Sequence, residues 1–221
     1  MSAESGLKTF RDSDGLWENY NVYEVATPEA WAVNQSLVLK FYNERRTQLL
    51  EARPNSGHLS LLELEDHFET VIITQNVDDL HEKAGSSNII HLHGELNKVR
   101  SQVDLNDIRV WNGDLKEGDL CSHGRQLRPH IVWFGEQVPM LERAIGEMIT
   151  ADFILIIGTS MQVYPAASLT AYAPDHAKIY YVDPAPQINY ELTRQKDRLI
   201  ILEGPASTKV KEAIDLMINA S

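Results

Sequence analysis

The chain has 221 residues, 43% hydrophobic and 24% charged, which suits one globular domain with a smaller inserted module and excludes disordered and fibrous classes. Twenty Lys and Arg against 32 Asp and Glu give a net charge of −12, which repels nucleic acid and anionic membranes, so a bound anion must be held by local donors. No apolar run approaches the roughly 18 residues of a membrane helix, no basic-then-apolar leader opens the chain, and one cysteine, Cys121, excludes an internal disulfide and a multi-thiolate metal site; the reading is a soluble, cytoplasmic protein.

In chain order, Thr27–Ala52 reads as one long helix, opened by a capping threonine and a first-turn proline. A helical pattern follows at His58–Asp66, then β-branched strands at Val71–Gln75 and Ile89–His93. Lys98–Leu127 is polar, carries Gly113, Gly118 and Gly124, and shows little helical or strand periodicity. It is too long for an ordinary connector, and with Thr27–Ala52 it reads as part of a smaller module. Beyond it, helical patterns at Met140–Thr150, Pro165–Tyr172 and Lys209–Ile218 alternate with strands at Phe153–Ile157, Lys178–Asp183 and Leu199–Leu202. Such alternation implies an α/β fold with a parallel sheet covered on both faces and a ligand site at the carboxyl ends of its strands. Those ends read Gln75-Asn76-Val77-Asp78, His93-Gly94, Gly158-Thr159-Ser160 and Asp183-Pro184.

His93 stands at a strand end beside a glycine, where a neutral imidazole can take a proton from a hydroxyl near neutral pH. A structural histidine is the simpler alternative, and His91, two positions earlier on the same face, competes for the role. Gln75, Asn76 and Asp78 offer donors and acceptors for an amide-bearing ligand and a ribose, or serve as a cap for a helix at Leu80. Gly158, Thr159 and Ser160 suit close approach to a phosphate or ribose, although no P-loop is formed. The segment Ser2–Asp12 offers a loop with an aromatic residue, Phe10, and a phosphate-pairing Arg11, or a disordered tail. Tyr42 and Arg45 lie at i and i+3 on one helix face, a carboxylate clamp or an ordinary solvated pair.

Taken together, the ordered strings Ser2–Leu7, Thr9-Phe10-Arg11, Thr74–His81, His91–Leu96, Arg128–Glu136 and Gly158-Thr159-Ser160 resemble the sirtuins, NAD-dependent protein lysine deacylases. Thr9 and the run Phe41–Arg46 resemble the class III branch, in which a Tyr-x-x-Arg pair recognises succinyl- and malonyl-lysine. The resemblance implies a Rossmann-like large domain from residues 1–11, 54–94 and 128–221, and a small module from 12–53 and 95–127. It implies His93 as general base, acting on a ribose hydroxyl after the acyl oxygen has attacked the nicotinamide ribose, with nicotinamide, free lysine and O-acyl-ADP-ribose as products. Gln75, Asn76 and Asp78 would hold nicotinamide and its ribose; Ala3, Phe10 and Arg11 would flank the cofactor; Gly158, Thr159, Ser160, Asp183 and Ala206 would contact its distal part. Tyr42 and Arg45 would hold the acyl end, while Val132, Phe134 and Gly135 would pair with the acyl-lysine peptide as an added strand. An inactive NAD- or ADP-ribose-binding module and an ADP-ribosyltransferase are the competing functions.

Two departures from the family pattern carry expectations. Ser101 stands where a first zinc cysteine is expected, and Cys121 with His123 cannot close a tetrahedral site, so no zinc is expected. The family's Gly-Ala-Gly loop and its preceding central strand are not seen in the sequence, so the neighbouring strands are expected to be left unpaired.

Overall fold

The computed structural model describes residues 1–7, 16–17 and 20–221; Phe10 and Arg11 lie outside the described residues. A 3₁₀ turn, Ser2–Ser5, leads to the short antiparallel pair β1 (Leu16–Trp17) and β2 (Tyr20–Asn21). Three helices follow, α1 (Val22–Val25), α2 (Pro28–Val33) and α3 (Gln35–Glu51). The single helix expected over Thr27–Ala52 is therefore two. Asn34 sits at the break in a non-helical conformation, and its side-chain oxygen accepts from the Leu37 amide. A local cap outcompeted helix continuation there.

The helical stretch at His58–Asp66 is likewise divided, into α4 (Ser56–Ser60) and α5 (Leu62–Glu65). β3 (Ile72–Thr74), α6 (Leu80–Ala84) and β4 (Ile89–His91) come next. Lys98–Leu127, read as aperiodic, contains the end of β5 (Gly94–Arg100) and all of β6 (Ile108–Val110), which pair antiparallel; β5 also pairs antiparallel with β7 (Arg128–Ile131), just beyond the segment. The β6 side chains are exposed on both faces, so no alternation marked that strand. The remainder is α7 (Leu141–Met148), β8 (Phe153–Ile157), a 3₁₀ helix at Ala166–Tyr172 in place of the expected α-helix, β9 (Lys178–Asp183), α8 (Tyr190–Thr193), β10 (Leu199–Glu203) and α9 (Ala206–Ile218).

All pairings among β8, β9 and β10 are parallel, as is β3 with β4. The two-residue period of a strand explains why both faces of β8 and β9 are covered. Ile154, Ile156, Ile179 and Tyr181 pack with Ala144 and Met148 of α7 on one side. Phe153, Leu155, Ile157, Tyr180 and Val182 pack on the other with Leu61, Leu64, Val210, Ile214 and Met217. Each fully buried aliphatic side chain in these layers contributes about 1.5–3 kcal/mol. A third core joins Val38, Phe41, Tyr42 and Leu49 of α3 to Leu96, Val99, Leu127, Ile131 and Trp133.

The parallel strands form two sheets, β10-β9-β8 and β3-β4, and among the described residues no strand pairs with both β3 and β8. Both strands line one large cleft. Among the described residues no helix is long and apolar enough to cross a membrane.

Candidate functional site

The cleft has a volume of about 1480 Å³; it runs along the full length of β3 and β8 and, at their carboxyl ends, reaches the helical module around α3. Its wall brings together Ala3, Tyr42, Arg45, Gln75, Asn76, Asp78, His93, Val132, Phe134, Gly135, Gly158, Thr159, Ser160 and Ala206. Residues spread over two hundred positions thus meet because parallel strands deliver their carboxyl ends to one edge.

His93 occupies the turn after β4. The turn is tight because Gly94 takes φ +82°, and a Cβ built there would lie 2.0 Å from the His130 carbonyl oxygen. Only glycine fits. The His93 Nδ1 lies 3.0 Å from the Gln75 carbonyl oxygen, which assigns the proton to Nδ1 and leaves Nε2 with its lone pair. Burial holds the imidazole below its ordinary pKa, so it is neutral at physiological pH.

The choice between the two histidines follows from geometry. His91 does not line the cleft. Its Nε2 is 2.7 Å from Glu82 Oε1 and its Nδ1 is 3.4 Å from the Asn76 carbonyl oxygen, so both ring nitrogens are engaged. Although burial disfavours its charged form, the Glu82 carboxylate overrides that and raises its pKa. His93 is the one of the pair suited to accept a proton from a molecule in the cleft.

Around it the amide-rich loop after β3 is held in place. Asn76 Nδ2 donates to Ser2 Oγ at 2.8 Å, and Gln75 Nε2 donates to Thr159 Oγ1 at 3.3 Å. Asp78 Oδ1 accepts from the Leu80 amide at the start of α6, so the capping alternative describes part of its work. Burial raises the Asp78 carboxyl above the ordinary range. Thr159 is fixed through its carbonyl, which accepts from the Tyr181 hydroxyl at 2.7 Å.

On the other wall, Tyr42 is fully buried and its Oη accepts from Trp133 Nε1 at 3.0 Å. Burial pushes the Tyr42 phenol up, so it stays protonated and keeps its own hydrogen to donate. Arg45 is 6% exposed and its guanidinium lies 4.8 Å over the Phe41 ring. The adjacent Arg46 is built into the module instead, donating to the Leu96 carbonyl, Asn43 Oδ1 and the Gly113 carbonyl. Tyr42 and Arg45 therefore form a buried cationic and hydroxylic corner inside an acidic protein, not a solvated surface pair.

Other expected residues are placed differently. Asp183 is 1% exposed, does not line the cleft, and its Oδ1 accepts from the Ala185 amide. The amides of Val132 and Phe134 are taken up by the carbonyls of His93 and Ala26. Glu4, which the sequence reading missed, caps α9: its two carboxylate oxygens accept from the Ala206 and Ser207 amides at 2.9 and 3.0 Å. Its distance in sequence hid it, because a cap from two hundred residues away leaves no local pattern.

A structural zinc does not fit the donors near Cys121. Ser101 hydrogen-bonds the thiol and lowers its pKa, and the Ser101 Oγ also accepts from the amides of Val103 and Asp104. No set of three His, Cys, Asp or Glu donors converges there among the described residues.

Residues 1–165 match the model of the Sir2 family. The chain is 59% identical over 184 residues to an NAD-dependent protein deacylase of Helicobacter pylori (strain ATCC 700392 / 26695), covering 83% of this chain and 80% of that protein. It is 49% identical over 226 residues to an NAD-dependent protein deacylase of Bacteroides thetaiotaomicron, covering 100% of this chain and 95% of the relative. Its fold is similar to the crystal structure of a Sir2 homolog–NAD complex, with a TM-score of 0.85 and 38% identity over 99% of this chain and 86% of that one. On the match of most of its length to the family model, on these identities and on the shared fold, the chain belongs to the Sir2 family.

Proposed function

We propose that this chain removes acyl groups from protein lysines with NAD and water as co-substrates, releasing nicotinamide, the free lysine and O-acyl-ADP-ribose. The observation that carries the reading is His93: a neutral imidazole, Nδ1 bound to the Gln75 carbonyl, set in the cleft wall among amides and hydroxyls. Its Nε2 takes the proton of a ribose hydroxyl, which makes that oxygen nucleophilic toward the acyl carbon. NAD supplies the ribose carbon that the acyl oxygen attacks and the nicotinamide that leaves.

Gln75, Asn76 and Asp78 orient the nicotinamide end, which Phe10 and Arg11 cover, and Ala3, Gly158, Thr159, Ser160 and Ala206 hold the rest of the cofactor. Asp183 enters this scheme as the support of the turn after β9. Val132, Phe134 and Gly135 flank the peptide entrance. With the Val132 and Phe134 amides already bonded, a peptide strand pairs there through carbonyls.

The acyl group is read by Tyr42 and Arg45. A carboxylate entering this buried corner exchanges its hydration for a guanidinium and a phenolic O–H, which favours succinyl- and malonyl-lysine over acetyl-lysine. The chain is organised in two parts, residues 1–11, 54–94 and 128–221 against 12–53 and 95–127. The small part is held by the core around Phe41, Leu115 and Leu127, without a zinc at Cys121. The chain keeps a cytoplasmic setting away from membranes and nucleic acid, on the net charge of −12.

Mass spectrometry of a succinyl-lysine peptide incubated with NAD and the protein tests the proposal. Loss of the acyl group with stoichiometric nicotinamide supports it. An unchanged peptide points to a binding module, and a gain of ADP-ribose points to a transferase.

A further inference from the structure

Behind the cleft wall, three side chains from three elements converge. Glu82 comes from α6, His91 from the end of β4 and Glu95 from the start of β5, and one ligand atom of each lies within 4.8 Å of the others. None of the three lines the cleft. We propose that Glu82, His91 and Glu95 form a binding site for a divalent transition-metal ion such as zinc.

The chemistry of the donors fits. Imidazole nitrogen and carboxylate oxygen are both zinc ligands, and three protein donors leave a position open for water. The His91 side chain is nine-tenths buried, and its Nε2 points at Glu82 Oε1, 2.7 Å away. Its Nδ1 faces the Asn76 backbone carbonyl at 3.4 Å. A metal-bound histidine has this arrangement: the second ring nitrogen donates to a carbonyl, which sets the tautomer and turns the other lone pair outward.

The adjustment required is small. Ligands about 2.1 Å from a tetrahedral ion sit roughly 3.4 Å apart. Glu82 must retreat by less than an ångström, and its carboxylate is on the exposed side of α6. Glu95 must leave Lys98, whose Nζ lies 2.8 Å from Oε2 and which is itself a third exposed. Without an ion, the proton shared by His91 and Glu82 and the Lys98 ammonium neutralise the two carboxylates. A dication takes over both duties, and the −12 charge of the chain favours its approach.

The inference does not depend on the deacylase reading, and its test reads binding, not turnover. The full chain, stripped with chelator and dialysed, is titrated calorimetrically with zinc. One saturable site per chain is expected. Glu82→Gln and Glu95→Gln should each weaken it by at least roughly 10- to 100-fold, the cost of losing even a group that supports a ligand. Lys98→Met should tighten it severalfold by removing the competing ammonium, an outcome that a purely structural salt bridge would not produce. Cys121→Ser should leave it unchanged, and the cobalt-loaded protein should lack a thiolate charge-transfer band. Absence of a stoichiometric site, an unaltered affinity in Glu82→Gln, or loss of binding in Cys121→Ser would each overturn the proposal. Thermal midpoints without metal check that the variants are folded.

Discussion

Arg45→Met tests the acyl pocket most directly. Methionine keeps the length and apolar stem of the side chain and removes only the guanidinium. Arg45 is 6% exposed and its guanidinium packs over Phe41, so the stem remains buried against the same ring. The fold loses a desolvated cation–π contact of about 2 kcal/mol, still below the stability of a typical domain. The acidic acyl group loses more. A charge-assisted hydrogen bond is worth about 1.5–3 kcal/mol, or roughly 10- to 150-fold in kcat/KM at about 1.4 kcal/mol per decade. An acetyl group carries no charge, so its rate should stay within about threefold. Steady-state kinetics on matched succinyl- and acetyl-lysine peptides, read by nicotinamide release, give both numbers. Added salt should erode the preference only slightly, because a pair buried this deeply is poorly screened. If Arg45→Met slows both substrates equally, Arg45 supports the module and does not read the acyl group.

His93→Ala should lower turnover by roughly 10²–10⁴-fold with NAD affinity, measured calorimetrically, largely kept; near-normal turnover would remove His93 from the base role. Because burial lowers the His93 pKa, the acid limb of the kcat/KM profile should fall below the ordinary imidazole value near 6.5, and a limb above it would contradict the assignment. His58 and His81 are buried neutral with pKa values lowered to about 3 and about 4, first by desolvation. The unfolded chain takes up their protons below about 6.5 and the folded chain does not, so stability falls as pH drops from 6.5 toward 4, on the order of 2 kcal/mol per ring at pH 5. Urea unfolding at pH 7 and 5 checks this, and equal midpoints would refute it. Gly94→Ala should cost more than about 3 kcal/mol or displace His93, since the added Cβ meets a backbone carbonyl oxygen at 2.0 Å; a crystal structure with an undisturbed turn would show the error. In Glu82→Gln, where the metal site proposed behind the cleft is weakened, chelator should leave the thermal midpoint unchanged, because the module around Cys121 has too few metal donors to depend on one.

The strands around the site were legible for a physical reason. β9 is buried on both faces and β8 on one, with its other face half-buried, so their β-branched and aromatic runs stand out and end where glycine or proline stops them. The strand ends then named Gln75, Asn76, Asp78, His93 and Gly158 as one site. Local competition was less legible. The Asn34 cap divides a helix that propensity alone would continue. The β6 side chains are all exposed and carry no alternating pattern, although their backbone pairs with β5.

What the sequence by itself determined is the order of chemistry along the chain: a glycine after His93, amides and a carboxylate after β3, hydroxyls after Gly158, and a tyrosine three positions before an arginine. Such patterns are local, and local spacing is all that helical and strand periods report. Tertiary structure decided what lies between distant residues. It turned His91 toward Glu82 and His93 toward the cleft, buried Tyr42 against Trp133, tied Arg46 into the module, and drew Asp183 into its own turn. It also brought Glu4 to the start of α9 and Glu95 to His91. Each choice depends on which backbone groups another segment offers within about 3 Å, a relation that exists only once the chain has folded.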